Sequence, residues 1–418
     1  MSVAPVAITG MGCICAAGRN LPDSMEALLR GERHPAPPVR FASNHPVRYP
    51  VFEAVDFEEP PDLLRTSAFA LHAAREAVAD AGLDRKTLGA LRVGVCVGTT
   101  VGAVVSEETF CRGYLAGDAP DMAPIRRILH GNPADVISRE FDLSGPRQTV
   151  VTACSSGTDA VGIAGSWIRA GLCDAAIAGG ADELGRITYI GFISLMITDD
   201  SPCRPFDQHR KGLNLGEGAA MLVLASERLL RRSGKRARSF LLGYGSAGDA
   251  YHLTAPRPDG AGLRSAISEA LATSGVSSAS VAFVNAHGTG TPDNDRVESR
   301  VLHDMLPGIP FLSTKGYTGH TLGASGAIEA VFTAACLEMG KIPANAGFET
   351  PDPEIGITTV REVTAFPGTV ALSESLAFGG NNSVVVLGKA WADRTGSSSK
   401  ESERSAASAA ASPICPGR

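Results

Sequence analysis

Val151-Thr152-Ala153-Cys154-Ser155-Ser156-Gly157 follows the turn residues Ser144-Gly145-Pro146 and a short apolar stretch, and precedes a helix-like segment, Ala160 to Ile168. Together they read as strand, tight turn and helix. Strand-like apolar runs recur on both sides: Val6 to Gly10, Val93 to Gly98, Asp174 to Ala178 and Ala219 to Leu224. Helical spacing runs from Ala68 to Ala81 and stops before Gly82. Buried strands alternating with helices predict an α/β fold with helix-covered sheets.

A second series begins at Phe240-Leu241-Leu242-Gly243, continues through Ala282-Phe283-Val284-Asn285 and ends with Ser383 to Leu387. The basic, polar stretch Arg228 to Arg238 separates the two series, which predicts halves at 1–237 and 238–391. From Ala392 the chain is rich in Ser and Ala. Too few large apolar groups remain there to pack, so 392–418 is expected to be a flexible tail.

Composition narrows the class. The chain has 418 residues, 44% hydrophobic and 20% charged, which suits a globular fold rather than disorder. A net charge of -6 does not imply a large nucleic-acid surface. No run of eighteen apolar residues predicts a membrane span. The start, Met1 to Pro5, lacks the basic-then-apolar pattern of a secretory leader. Nine irregularly spaced cysteines predict reduced thiols and a cytoplasmic setting. Cys13 and Cys15 lack the further ligands of a zinc site and read as buried residues after the first strand.

Four segments carry chemistry. Cys154 lies between a strand end and a helix start, where unpaired N–H groups and the helix dipole favour a thiolate. Alone, such a cysteine is more often a packed core thiol. Asn285-Ala286-His287-Gly288-Thr289-Gly290-Thr291-Pro292 places a histidine at a strand end among small residues, able to reach a cavity. The plainer alternative is a histidine satisfied by loop carbonyls. Ser313-Thr314-Lys315-Gly316-Tyr317-Thr318-Gly319-His320 precedes a small-residue helix on which Glu329 can pair with Lys315. A lysine is ordinarily a solvated charge. This glycine-rich run fails the phosphate-loop pattern, and Gly10-Met11-Gly12 lacks the third glycine of a dinucleotide site. In Leu376-Ala377-Phe378-Gly379-Gly380-Asn381-Asn382, the glycines allow a backbone N–H to approach an oxyanion, or simply form a turn.

In this order, the four segments resemble the condensing enzymes of the thiolase superfamily, and most nearly the elongating β-ketoacyl-acyl carrier protein synthases of the synthase II kind. The similarity runs from Val6 to Trp391. It includes Cys203-Arg204-Pro205-Phe206-Asp207, Gly212, Leu215 to Gly218, and Asp249-Ala250-Tyr251-His252, which resembles that family's mobile active-site loop. The resemblance implies a thiolase-like αβαβα five-layer fold built from two similar halves, each with a mixed five-stranded sheet. It implies decarboxylative condensation of a malonyl thioester with an acyl group held on Cys154, with no metal or redox cofactor. His287 and His320 would support decarboxylation, Lys315 paired with Glu329 would order them, and Phe378, with the N–H groups of Cys154 and Phe378 as an oxyanion hole, would gate the acyl pocket beside Gly379.

The implied partners are acyl carrier protein and a second copy, or a related ketosynthase in a heterodimer. Arg204 matches a family position near the entrance for carrier protein; Arg65, Arg126 and Arg127 are further candidates. A thiolase would carry a second cysteine near Phe378, and an initiating synthase would not carry His320. A non-catalytic, chain-length partner subunit is the alternative. Ala377 stands where the family commonly has glycine; its methyl limits positive φ and predicts altered gate movement and acyl choice in fatty acid, polyketide or polyene synthesis.

Overall fold

The computed structural model describes residues 3–390 apart from Val55 and Ala103. The tail expected at 392–418 lies outside the described residues. The first half contributes strands β1 (Val6–Cys15), β2 (Val93–Gly98), β3 (Arg147–Val150), β4 (Ala175–Asp182) and β5 (Gly218–Ala225). The second contributes β6 (Ser239–Gly248), β7 (Phe283–Asn285), β8 (Phe311–Leu312), β9 (Val370–Ala377) and β10 (Asn381–Lys389). The helices that matter are α1 (Arg65–Asp80), α2 (Pro133–Phe141), α3 (Ser156–Arg169), α4 (Arg186–Ser194), α5 (Ala261–Ser274), α6 (Pro292–Met305) and α7 (Ser325–Met339).

Strand order is β3-β2-β4-β5-β1-β6-β10-β9-β7-β8. The two halves repeat one topology. In the first, β2 pairs in parallel with β3 and β4, while β5 pairs antiparallel with β4 and β1. In the second, β7 pairs in parallel with β8 and β9, while β10 pairs antiparallel with β9 and β6. Val6 to Ile8 pair with Ser239 to Leu241, so the two five-strand units are hydrogen-bonded at a short seam.

The strands β4 and β5 are buried along their whole length. Their near-continuous apolar sequence follows from helices covering both faces. Helices α1 and α2 lie on the outer face of the first unit, and α5 on that of the second. Helices α3 and α7 pack on each other and each touches both units. The layers therefore run helix, sheet, helix, sheet, helix. The stretch Leu322–Met339 is apolar and long enough to cross a membrane, but it is 89% buried here as the central core helix.

The paired glycines of β1 explain a motif that looked like a broken nucleotide site. A Cβ on Gly10 would stand 2.1 Å from the Ala77 carbonyl oxygen, and one on Gly12 would stand 2.2 Å from that of Ala73. They let α1 lie close on the strand. Gly243 and Gly245 do the same for α5 in the second half. Strand β1 also runs further than its sequence suggests, so Cys13 and Cys15 are buried within it rather than after it.

Candidate active site

Strand β3 ends at Val150, and the chain must turn before α3 begins at Ser156. Ala153 makes that turn with φ +56°, a left-handed conformation that costs a non-glycine residue about 1–2 kcal/mol. Its carbonyl oxygen accepts from Ser156 Oγ at 2.6 Å and from Thr100 Oγ1 at 3.0 Å, which holds the turn. Asp159, one turn into α3, accepts from Thr152 Oγ1 at 2.5 Å, Ser155 Oγ at 2.9 Å and, from the second half, the Tyr244 hydroxyl at 2.8 Å. Cys154 is thus presented, buried, by a braced elbow.

Burial pushes the Cys154 thiol up to about 11, against the pull of the Phe378 N–H, the Lys315 charge and its own N–H. The resting group is the thiol, not the thiolate that the helix start suggested. Desolvation outweighs the local dipole because the sulfur itself is buried.

His287 follows β7 in a loop whose His287 and Gly288 N–H groups donate to Glu298 at 2.6 and 2.8 Å. Lys315 is buried, ion-paired with Glu329 and bonded at 2.6 Å to the His287 carbonyl oxygen. Its Nζ also stands 3.1 Å from His287 Nδ1. An ammonium can only donate, so Nδ1 accepts and the ring proton sits on Nε2. The same logic fixes His320: its Nδ1 accepts the Leu322 N–H at 3.0 Å and lies 3.2 Å from Ser325 Oγ. Its proton is also on Nε2. Burial, followed by Lys315, holds both imidazoles well below the usual histidine value, so both are neutral.

The two rings stand 5.3 Å apart and nearly perpendicular. Cys154 Sγ and one nitrogen of each ring lie within 4.8 Å of one another. A Cys–His–His set is chemically able to hold zinc. Here, however, both free nitrogens carry protons and both Nδ1 atoms are already occupied. The set offers two N–H donors, which suits an oxygen gaining negative charge rather than a cation.

These groups line a cavity of about 330 Å³. Phe378 closes one side, its ring stacked on Phe192 of α4 at 5.6 Å and 14°. Gly379 and Gly380 both have φ near +80°, which an L side chain rarely adopts. Ala377 has φ −122°, so its methyl meets no conformational penalty here, contrary to the expectation of restriction. Asp249 is buried and lines the cavity; it accepts from Asn382 Nδ2 and the Arg257 N–H, both at 2.9 Å. The Gly379 N–H donates to Leu253 at 2.8 Å, which ties the 249–257 loop to the Phe378 segment. His252 belongs to that loop but is exposed, and it caps Thr254 and Ala255 instead of lining the cavity.

Of the sequence-derived carrier-protein candidates, Arg65 is overturned. It is buried beneath the surface, bonded to Glu217 at 2.7 Å and Glu59 at 2.7 Å, with its guanidinium over the Phe69 ring. A buried, paired guanidinium has no face to offer a partner. Arg204 is half-buried, 3.4 Å from Glu349 and beside Gly290 of the His287 loop. Arg126 is exposed and Arg127 half-buried on the helix Ala123–His130.

The geometry has counterparts. Residues 3–229 match the family described as Beta-ketoacyl synthase, N-terminal domain, and residues 238–349 match the corresponding C-terminal domain. The chain belongs to the beta-ketoacyl synthase family. Within that family it is 34% identical over 406 residues to 3-oxoacyl-[acyl-carrier-protein] synthase 2 of Synechocystis sp., covering 92% of this chain and 98% of the relative. Among solved structures it resembles the ishigamide ketosynthase/chain length factor at 33% identity and TM-score 0.89, covering 93% of this chain and 100% of that one. It also resembles AntDE:AntF, a type II PKS acyl-carrier protein in complex with its ketosynthase bound to the hexaketide. There the identity is 25% and the TM-score 0.85, covering 93% and 100%.

Proposed function

We propose that the chain is a 3-oxoacyl-[acyl-carrier-protein] synthase, an acyltransferase that forms a carbon–carbon bond in fatty acid or polyketide biosynthesis. The observation that carries this is the pair of buried, neutral, Nε2-protonated histidines beside one buried thiol. In the first half-reaction Cys154 Sγ attacks an acyl thioester. The carrier thiol leaves and takes up the proton that the Cys154 thiol gives up. The N–H groups of Cys154 and Phe378, which already meet at Sγ, would receive the developing oxyanion.

In the second half-reaction a malonyl thioester loses carbon dioxide. The electron pair moves onto the thioester oxygen as an enolate. Two neutral N–H donors stabilise that oxygen without delivering a proton to the carbanion. The enolate carbon attacks the acyl carbonyl on Cys154, the Cys154 thiolate leaves and takes a proton from solvent water, and a β-ketoacyl thioester results. Lys315 and Glu329 are assigned the ordering of His287. Phe378, with Gly379 and the Asp249 loop, is assigned the gate.

The partners follow from this chemistry. Acyl carrier protein delivers both thioesters, with Arg204 a contact at the entrance. The likeness to a ketosynthase solved with its carrier protein supports this partner. A second copy, or a chain length factor as in the ishigamide pair, would complete a dimer. The retained cysteine, lysine and histidines favour the catalytic member of any such pair over a non-catalytic one. The boundary between halves is placed at 237/238, between β5 and β6. A cytoplasmic setting agrees with eight free cysteines among the described residues. The test is condensation of acyl- and malonyl-carrier protein by the purified chain. A β-ketoacyl product supports the assignment, and no product with any acyl donor, alone or with a partner ketosynthase, overturns it.

A further inference from the structure

Asp182 is the last residue of β4 and is completely buried, yet among the described residues no Lys or Arg forms an ion pair with it. Instead its carboxylate gathers donors from two segments that come from different halves of the chain. Oδ1 accepts from Thr99 Oγ1 at 2.7 Å and the N–H groups of Val101 and Gly102 at 3.0 and 3.4 Å. Oδ2 accepts the Thr100 N–H at 2.8 Å and, from the second half, the Gly323 N–H at 2.6 Å.

Each segment leads directly to a reacting group. On one side, Thr100 Oγ1 bonds the carbonyl oxygen of Ala153, the strained left-handed residue that sets the Cys154 elbow. On the other, Gly323 follows Leu322, itself left-handed at φ +55°, whose N–H fixes the His320 tautomer. There is no room to bypass the contact: a Cβ on Gly323 would stand 2.8 Å from Asp182 Oδ2 and 2.7 Å from the Thr99 carbonyl carbon.

We propose that Asp182 is a positioning residue that sets the relative placement of Cys154 and His320 by clamping the 99–102 and 322–323 segments onto one carboxylate. The proposal rests on the synthase assignment above for its consequence in turnover, but not for its geometry. The same buried anion also opposes ionisation of the Cys154 thiol, second to burial among the raising influences.

Asp182→Asn replaces one acceptor by a donor. In either orientation the new NH₂ faces N–H groups that can only donate. The expected result is a loss of about 10-fold or more in both acyl transfer to Cys154 and malonyl decarboxylation. The pH midpoint of iodoacetamide alkylation at Cys154 is expected to move down by about 0.5–1 unit, because a nearby anion is removed. The midpoint reports the lost charge, while the limiting alkylation rate above it reports the placement of Cys154 and is expected to change as well. Alkylation needs no carrier protein and no turnover, so its outcome is separate from that of the synthase assignment. Wild-type rates of acyl transfer, decarboxylation and limiting alkylation in folded Asp182→Asn would overturn the proposal, whatever the midpoint. If that variant does not fold, Thr100→Val, which cuts only the Cys154 arm, is expected to slow acyl transfer more than decarboxylation. Equal effects on the two, or none, would overturn it.

Discussion

At the scale of single residues, the proposed chemistry depends on two histidines being neutral donors. Their burial beside Lys315 predicts that both rings remain uncharged and protonated on Nε2 at pH 6, where an ordinary histidine is largely cationic. Nitrogen-detected NMR of the imidazoles checks this; a cationic signal from either ring at that pH would contradict it. Replacing His320 by Ala removes one of the two donors proposed for the enolate oxygen and should lower malonyl decarboxylation about 10²–10³-fold. Cys154, His287, Lys315 and His320 are each weak signals alone; their order along the chain, matched to known condensing enzymes, singled them out. Arg65 was misread, because sequence displays a charge but not its burial under Glu217 and Glu59. Its removal leaves Glu217 short of a partner and should cost about 3–5 kcal/mol in urea unfolding, with carrier-protein affinity unchanged. Asp159, Asp182 and Phe192 were missed. Each is one ordinary residue whose meaning lies in partners as far as 224 positions away along the chain, as with Ser383 and Asp159.

At the scale of elements, β2, β4, β5 and β7 were readable as unbroken apolar runs. Strand β9 was not, since Ser373-Glu374-Ser375 interrupts it although all three are buried. Strand β3 registered only as a strand end before Cys154, and β8, at two residues, not at all. Their positions come from pairing in parallel with β2 and β7, which is a tertiary fact. The central helices meet through small residues: a Cβ on Gly326 of α7 would lie 1.9 Å from Thr158 Oγ1 of α3. Gly326→Ala should therefore destabilise the protein by about 1–3 kcal/mol, seen as a lower melting temperature. An unchanged melting temperature would mean that the two helices can part without cost. In the proposed gate, Gly379→Ala forces a side chain into φ +82° where there is otherwise space. It should shift the Phe378 segment and slow the acylation burst, while the fold melts close to the wild-type temperature.

At the scale of the whole molecule, the site exists because the chain repeats one five-strand unit and stacks the copies. The first unit supplies the Cys154 elbow. The second supplies His287 after β7 and His320 after β8, and helices α3 and α7 lock the units together between the sheets. That repeat left no short sequence period, because the two copies share strand order and direction rather than residues. Only the resemblance to known condensing enzymes anticipated it. The proposed reaction requires Cys154 to carry an acyl group that malonyl-carrier protein then removes. The most direct measurement is the intact mass of the protein after incubation with acyl-carrier protein and again after malonyl-carrier protein, with Cys154→Ala alongside. The expected result is an acyl adduct on Cys154 that disappears as a β-ketoacyl product forms, and no adduct in the variant. An adduct that persists in Cys154→Ala, or none with any acyl donor, would contradict it.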